Sequence, residues 1–306
     1  MVLAAAQGYP RTIVIDSTNV YWSNGNPGAV SEIAKDGTGF TPLASNIDTS
    51  IDGLAVGGGS IYWSEFSLNS VMSLELGLDG GVPVTLVPNT VANLPLGIAL
   101  DSSYLYWLDT GSGQVLASPL DGVGGVKAIA SGGEAFLTAI AIDSTTVYWT
   151  ETLPGGLFKT AIVGGDRVFT VASTVGDRFF DNGVAVDATN IYWADATAGT
   201  VMAVAVGGGP AMTLASGQPG AGAIATDCPI PPGGCTTTGV YWANYAAPGS
   251  VMKVVLAGGG VTTLASGQSN PIGIAADVTS VYWVNEGTGM CDGGLCGSVM
   301  KVANPP

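Results

Sequence analysis

One dipeptide constrains this chain more than any other feature: each of its seven tryptophans directly follows a tyrosine. They are Trp22, Trp63, Trp107, Trp149, Trp193, Trp242 and Trp283, at steps of 41, 44, 42, 44, 49 and 41 residues. A repeat of that length is one supersecondary unit, which cannot bury its apolar face alone and must stack on its neighbours. The last complete unit shows what it contains. Val261-Thr-Thr-Leu264, Ile274-Ala-Ala-Asp277, Val281-Tyr-Trp283 and Val299-Met-Lys-Val302 are short β-branched or aromatic runs parted by Gly, Asn, Pro and Ser. That is the signature of strands joined by tight turns, and no stretch carries apolar residues at helical spacing over helical length. Four strands per unit and seven units predict an all-β fold. The expectation is a seven-bladed β-propeller of four-stranded antiparallel blades, one domain over residues 1–306.

The composition agrees. Charged residues make up 10% and glycines number 47 of 306, which suits strands and turns and leaves little for solvated helical faces. Eight basic against 23 acidic residues give a net charge of −15. Such an acidic protein repels nucleic acid and anionic lipid, so no nucleic-acid partner is expected. No apolar run reaches the roughly 20 residues of a membrane helix, so no membrane span is expected. No charged-then-apolar leader opens the chain. A monomer is the expected state.

Within each unit the strands are labelled A to D, from the axis outward. Strand A ends in Asp in six units, as in Ile98-Ala-Leu-Asp101, and in Gly57 in the second. Two and four positions earlier stand small residues, such as Ala99 and Gly97, which fit where blades crowd toward an axis. The Asp opens a turn whose backbone its side chain can bond two residues on. Strand B carries Tyr-Trp between aliphatic neighbours, as expected of a strand covered on both faces. Each Trp buries roughly 150–250 Å², or about 4–6 kcal/mol, so packing between blades dominates stability. Methionines of strand C are read as packing pieces. Strand D recurs in six units, while the seventh ends without one. Leu3, Gln7 and Pro10 stand 13, 9 and 6 residues before Asp16, the offsets of Leu264, Gln268 and Pro271 before Asp277. Residues 1–6 are therefore predicted to complete the blade formed by 271–302 as its outer strand, closing the ring and removing two sheet edges.

Cys228 and Cys235 flank an insertion in the A–B turn of unit six, and Cys291 and Cys296 one in the B–C loop of unit seven. Those loops lie at opposite ends of an up-and-down blade. Two local disulfides, Cys228–Cys235 and Cys291–Cys296, are therefore expected in place of a shared four-thiolate metal site, which implies an oxidising compartment.

Segments such as Gly97-Ile-Ala-Leu-Asp101, Tyr106-Trp-Leu-Asp109 and Gly113-Gln-Val resemble the YWTD repeat of low-density-lipoprotein-receptor-type propellers. They are also similar to secreted bacterial proteins built of G-I-A-x-D and Y-W repeats. The receptor-type resemblance implies an extracellular propeller that binds protein ligands, and with the cysteines it implies a secreted, periplasmic or cell-surface address. The chain differs in having seven units where that family has six, and in lacking adjoining EGF-like modules. The position matching the YWTD Asp holds Asn24, Glu65, Asp109, Glu151, Asp195, Asn244 and Asn285. Recurrence in every unit reads as turn-holding. The alternative is a ring of Ca²⁺ ligands, with Glu65, Asp109, Glu151 and Asp195 as its carboxylates. No other cofactor is expected.

Function should sit where D–A and B–C loops meet over the axis, at positions that break the repeat. One residue ahead of the small collar of strand A stand Arg11, Asp52, Leu96, Thr138, Asn182, Gly222 and Ile272, an irregular set in which Arg11 and Asp52 can pair. The most deviant loop, 175–183, adds Arg178, Phe179 and Phe180, types enriched at recognition hot spots. Arg11, Asp52, Thr138, Arg178, Phe179, Phe180 and Asn182 are thus the ligand-binding candidates. Histidine is absent, which removes Ser-His-Asp and Cys-His nucleophiles and His metal clusters. For an enzyme there remain carboxylate pairs, Asp52 with Glu65 or Glu151 with Asp181. The reading is a binding module for a protein or carbohydrate ligand. A His-free hydrolase or lyase is the alternative.

Overall fold

The computed structural model describes residues 1–78, 81–131, 136–152, 155–163, 169–172 (backbone only), 183–228, 237–288 and 297–304. They form seven four-stranded antiparallel sheets and no helix, a seven-bladed β-propeller. Blade 6 shows the plan: A Ala221–Thr226, B Gly239–Asn244, C Gly249–Val255 and D Val261–Gln268, each hydrogen-bonded to the next. In blades 2, 5, 6 and 7 the strand-C methionine stands directly across from Trp, as Met252 does from Trp242.

Blade 7 takes its outer strand from the opposite end of the chain. Val2–Gln7 pairs with Gly297–Ala303, with Val2 opposite Met300, Ala4 opposite Val299 and Gln7 opposite Gly297. Blade 1 is tied to this seam by Lys35, whose Nζ lies 2.7 Å from Asp277 of blade 7. Lys301 Nζ donates to the Lys35 carbonyl at 2.8 Å.

The Tyr-Trp dipeptide serves two interfaces at once. Consecutive strand residues point to opposite faces, so Trp packs toward the preceding blade and Tyr toward the following one. Trp242 packs with Tyr192 of blade 5, Trp149 with Tyr106 of blade 3, and Trp22 with Tyr282 of blade 7. Every Trp is at most 2% exposed. The Asp that ends strand A fixes the other end of that tyrosine. Asp143 Oδ1 accepts the Thr145 N–H at 2.7 Å, as predicted for the turn, while Tyr148 Oη donates to Oδ2 at 2.6 Å. The same tyrosine bond recurs at Asp16, Asp101, Asp187 and Asp227. Burial beside the carboxylate pushes these phenols well above their ordinary range.

The small collar has a backbone cause. A Cβ on Gly53 would lie 2.3 Å from the carbonyl oxygen of Leu96 on blade 3, and one on Gly273 2.7 Å from that of Arg11 on blade 1. Neighbouring A strands approach too closely for larger side chains at these positions.

Candidate functional site

The A strands surround an axial mouth with a cavity of about 610 Å³. One branched aliphatic side chain from each blade lines it: Ile13, Leu54, Ile98, Ile140, Val184, Ile224 and Ile274. Above this apolar ring the sevenfold regularity fails. Arg11, at the start of strand A in blade 1 (Pro10–Ile15), reaches Asp52 of blade 2, Nη1 to Oδ1 at 2.5 Å. Their side chains are 33% and 13% exposed, so the pair sits at the cavity surface, open to water. Thr138 lines the wall with its hydroxyl 2.8 Å from that of Thr150. A second polar pair joins blades 6 and 7. Tyr245, just past strand B of blade 6, donates its hydroxyl to Glu286 Oε2 at 3.0 Å, and both line the cavity.

The structure thus brings together three of the residues named from sequence, Arg11, Asp52 and Thr138. Arg178, Phe179, Phe180 and Asn182 lie outside the described residues, as does Asp181. Glu65, the expected carboxylate partner of Asp52, does not line the mouth. It is buried in blade 2, where Trp63 Nε1 and Ser70 Oγ donate to it at 3.2 and 2.7 Å. Tyr245 and Glu286 were missed. They directly follow the recurring polar position, at the place that Gly25, Phe66, Thr110, Thr152 and Ala196 occupy in other blades. The criterion of departure from the repeat finds them once it is applied one residue further along the B–C loop.

The recurring polar position holds the indole. In blades 2, 3 and 4 its carboxylate accepts the Trp Nε1–H: Glu65, Asp109 and Glu151, at 3.2, 3.3 and 2.8 Å. In blades 1, 6 and 7, where the position is Asn24, Asn244 or Asn285, a glutamine takes over. Gln7, Gln218 and Gln268 each accept both the Trp Nε1–H and the Asn Nδ2–H through one oxygen. Asp195 of blade 5 instead accepts the N–H groups of Thr197 and Ala198. Burial pushes the Glu151 carboxyl up. Among the described residues no group of three or more His, Cys, Asp or Glu is placed to hold a metal ion. The YWTD threonine has a counterpart role: Ser64 Oγ accepts the Gly53 N–H at 3.0 Å and Thr150 Oγ1 that of Ala139 at 3.1 Å. These bonds tie strand B to the collar.

Of the cysteines, Cys228 is buried at the end of blade 6 strand A. Cys235, Cys291 and Cys296 lie outside the described residues, so both predicted pairings do too. No helix among the described residues is long and apolar enough to cross a membrane.

No known protein family matches the sequence, and no curated protein matches it significantly. Solved structures do match. A catalytically inactive histidine-to-alanine variant of virginiamycin B lyase from Staphylococcus aureus, with quinupristin, superposes with a TM-score of 0.76 at 12% identity, over 100% of this chain and 98% of that one. The propeller of a nidogen/laminin complex gives 0.61 at 19%, over 81% and 92%. A puromycin-hydrolysing peptidase from Mycobacterium tuberculosis gives 0.68 at 15%, over 98% of this chain and 52% of that one. The likeness is one of fold. These neighbours include both enzymes and a member of a protein–protein complex, and the nidogen match accords with the YWTD-like repeat.

Proposed function

We propose that this chain is an extracellular or surface-attached recognition module that seats part of a protein or glycan ligand in its axial mouth. The observation that carries the reading is where regularity stops. Seven blades repeat one four-stranded plan and six hold the indole through a carboxylate or a glutamine, whereas the charged residues Arg11, Asp52 and Glu286 break the pattern around one preformed cavity. A concave, mostly apolar site of roughly 300–1,000 Å³ with a few convergent polar groups is what ligand recognition uses. The nidogen/laminin likeness supports the binding class. The lyase likeness supports an enzyme less, because that enzyme's histidine-to-alanine variant is inactive and this chain has no histidine. At the mouth, Asp52 is also held by Arg11, while Glu286 has Oε2 engaged by the Tyr245 hydroxyl and Oε1 uncommitted among the described residues.

The experiment is a glycan-array and secreted-peptide screen with the whole chain, repeated with Thr138→Trp, which narrows the mouth. Ligands captured by the parent and lost by the folded variant support the reading. Ligands held equally by both, or turnover of a captured ligand, would overturn it.

A further inference from the structure

The charge of the mouth specifies what it takes. Among its described lining residues there is one cation, Arg11, and Asp52 neutralises it at 2.5 Å. Glu286 has no such partner. Its Oε2 accepts the Tyr245 hydroxyl, Oε1 has no hydrogen-bond partner among the described residues, and no cation pairs with it there. No lysine stands at this site. Lys35 pairs with Asp277, Lys127 lies over the Tyr104 ring, Lys159 donates to the Val206 carbonyl, Lys253 to Asn304 and Lys301 to the Lys35 carbonyl. The mouth therefore joins an aliphatic ring to a carboxylate with spare acceptor capacity, in a chain whose net charge of −15 draws cations toward it.

We infer that the axial mouth binds a protonated amine or guanidinium carried on an apolar body, with Glu286 as its counter-ion and Tyr245 holding that carboxylate in place. The inference rests on the recognition reading above and narrows it to one ligand chemistry. A free amine and the lysyl side chain of a docked polypeptide share that chemistry.

The test titrates three probes of matched shape into the full chain at pH 7 and low salt, followed by NMR. They are cyclohexylmethylamine, cyclohexylmethanol and cyclohexanecarboxylate. The amine is expected to bind about tenfold or more tightly than the other two, the strength of a charge-assisted hydrogen bond. Glu286→Gln should erase that preference while the melting temperature stays within about 2 °C. Tyr245→Phe should weaken it, which keeps the test decisive if the first variant folds poorly. A lysine blocked at both ends, measured against blocked norleucine, separates the two sources. Tighter binding than the free amine assigns a polypeptide side chain, and weaker binding a small amine. Equal binding of alcohol or acid, or a preference that survives Glu286→Gln, overturns the cation assignment alone, provided that Thr138→Trp still abolishes binding. Failure of all probes to bind, or binding indifferent to Thr138→Trp, overturns the mouth as a site as well.

Discussion

Replacing Gln7 with alanine isolates the contact that joins the closing strand to the core. Gln7 is 9% exposed, and its Oε1 accepts the Trp22 Nε1–H at 3.0 Å and an Asn24 Nδ2–H at 3.1 Å. An indole nitrogen can only donate, so Gln7 must present its oxygen and Asn24 its amide nitrogen. Truncation strands two buried donors, each costing about 1–3 kcal/mol, or about 2–6 kcal/mol together. Asn24 Oδ1 has no partner, so rotation of that amide can offer it to the indole and satisfy one donor. The expected loss therefore falls near the low end, about 2 kcal/mol. Adding Asn24→Asp rebuilds the arrangement of blade 3, where Asp109 accepts Trp107 Nε1 at 3.3 Å without a glutamine. The double variant should recover about 1 kcal/mol of the loss, one hydrogen bond's net worth. Urea unfolding at pH 7 measures both, with unchanged slopes confirming that the same surface is exposed. A single-variant loss below about 0.5 kcal/mol, or a double variant less stable than the single, refutes the reasoning.

Three further outcomes are expected. Lys35→Met removes the partner of Asp277, whose carboxyl burial would raise but which the Lys35 ammonium and the Thr279 donors hold below the usual range. A lowered folded-state pKa gives stability that is present above the unfolded value of about 4 and lost as pH falls through the folded one. The variant should lose about 1–2 kcal/mol at pH 7 and show a shallower acid limb below pH 4, measured by thermal melts against pH; an unchanged limb counts against the pair. Glu151→Gln keeps an oxygen for Trp149 and removes a carboxyl that burial pushes up. A raised pKa penalises the fold as pH climbs from about 4.5 through the folded value, so the variant should match or exceed the parent at pH 7. A loss above about 2 kcal/mol would show that the charge itself is required. Gly53→Ala forces a Cβ to within 2.3 Å of the Leu96 carbonyl and should cost about 2–3 kcal/mol, as overpacking does; an unshifted melting temperature would mean that the collar is not close-packed.

Architecture was legible because each blade writes its own strands, and seven copies turn weak local signals into a strong one. The Gln7 and Gln268 offsets even revealed the shared blade, since a strand displaced to the other end of the chain keeps its spacing to the next Asp. The tyrosine's role was hidden although it stands five residues after the strand-A Asp in four of these five blades, because spacing alone does not show which way a phenol points. Outside blade 5, the carboxylate-or-asparagine position looked like one feature and proved to be two alternative ways of holding an indole, one needing an earlier glutamine, as Gln7 serves Asn24 and Trp22. Arg11 and Asp52 were found by irregularity. Glu286 escaped because a single odd carboxylate on a loop carries no pattern of its own.

The strand Val2–Gln7 is translated before all the others, and its partner, Gly297–Ala303, after them. In a flexible chain, joining ends some 300 residues apart rather than 40 costs only about 1.8 kcal/mol more in loop entropy. The harder requirement is kinetic: Val2–Gln7 must stay unpartnered until Gly297–Ala303 has been made. Blade 7 can therefore be sealed only once every intervening strand has been synthesised.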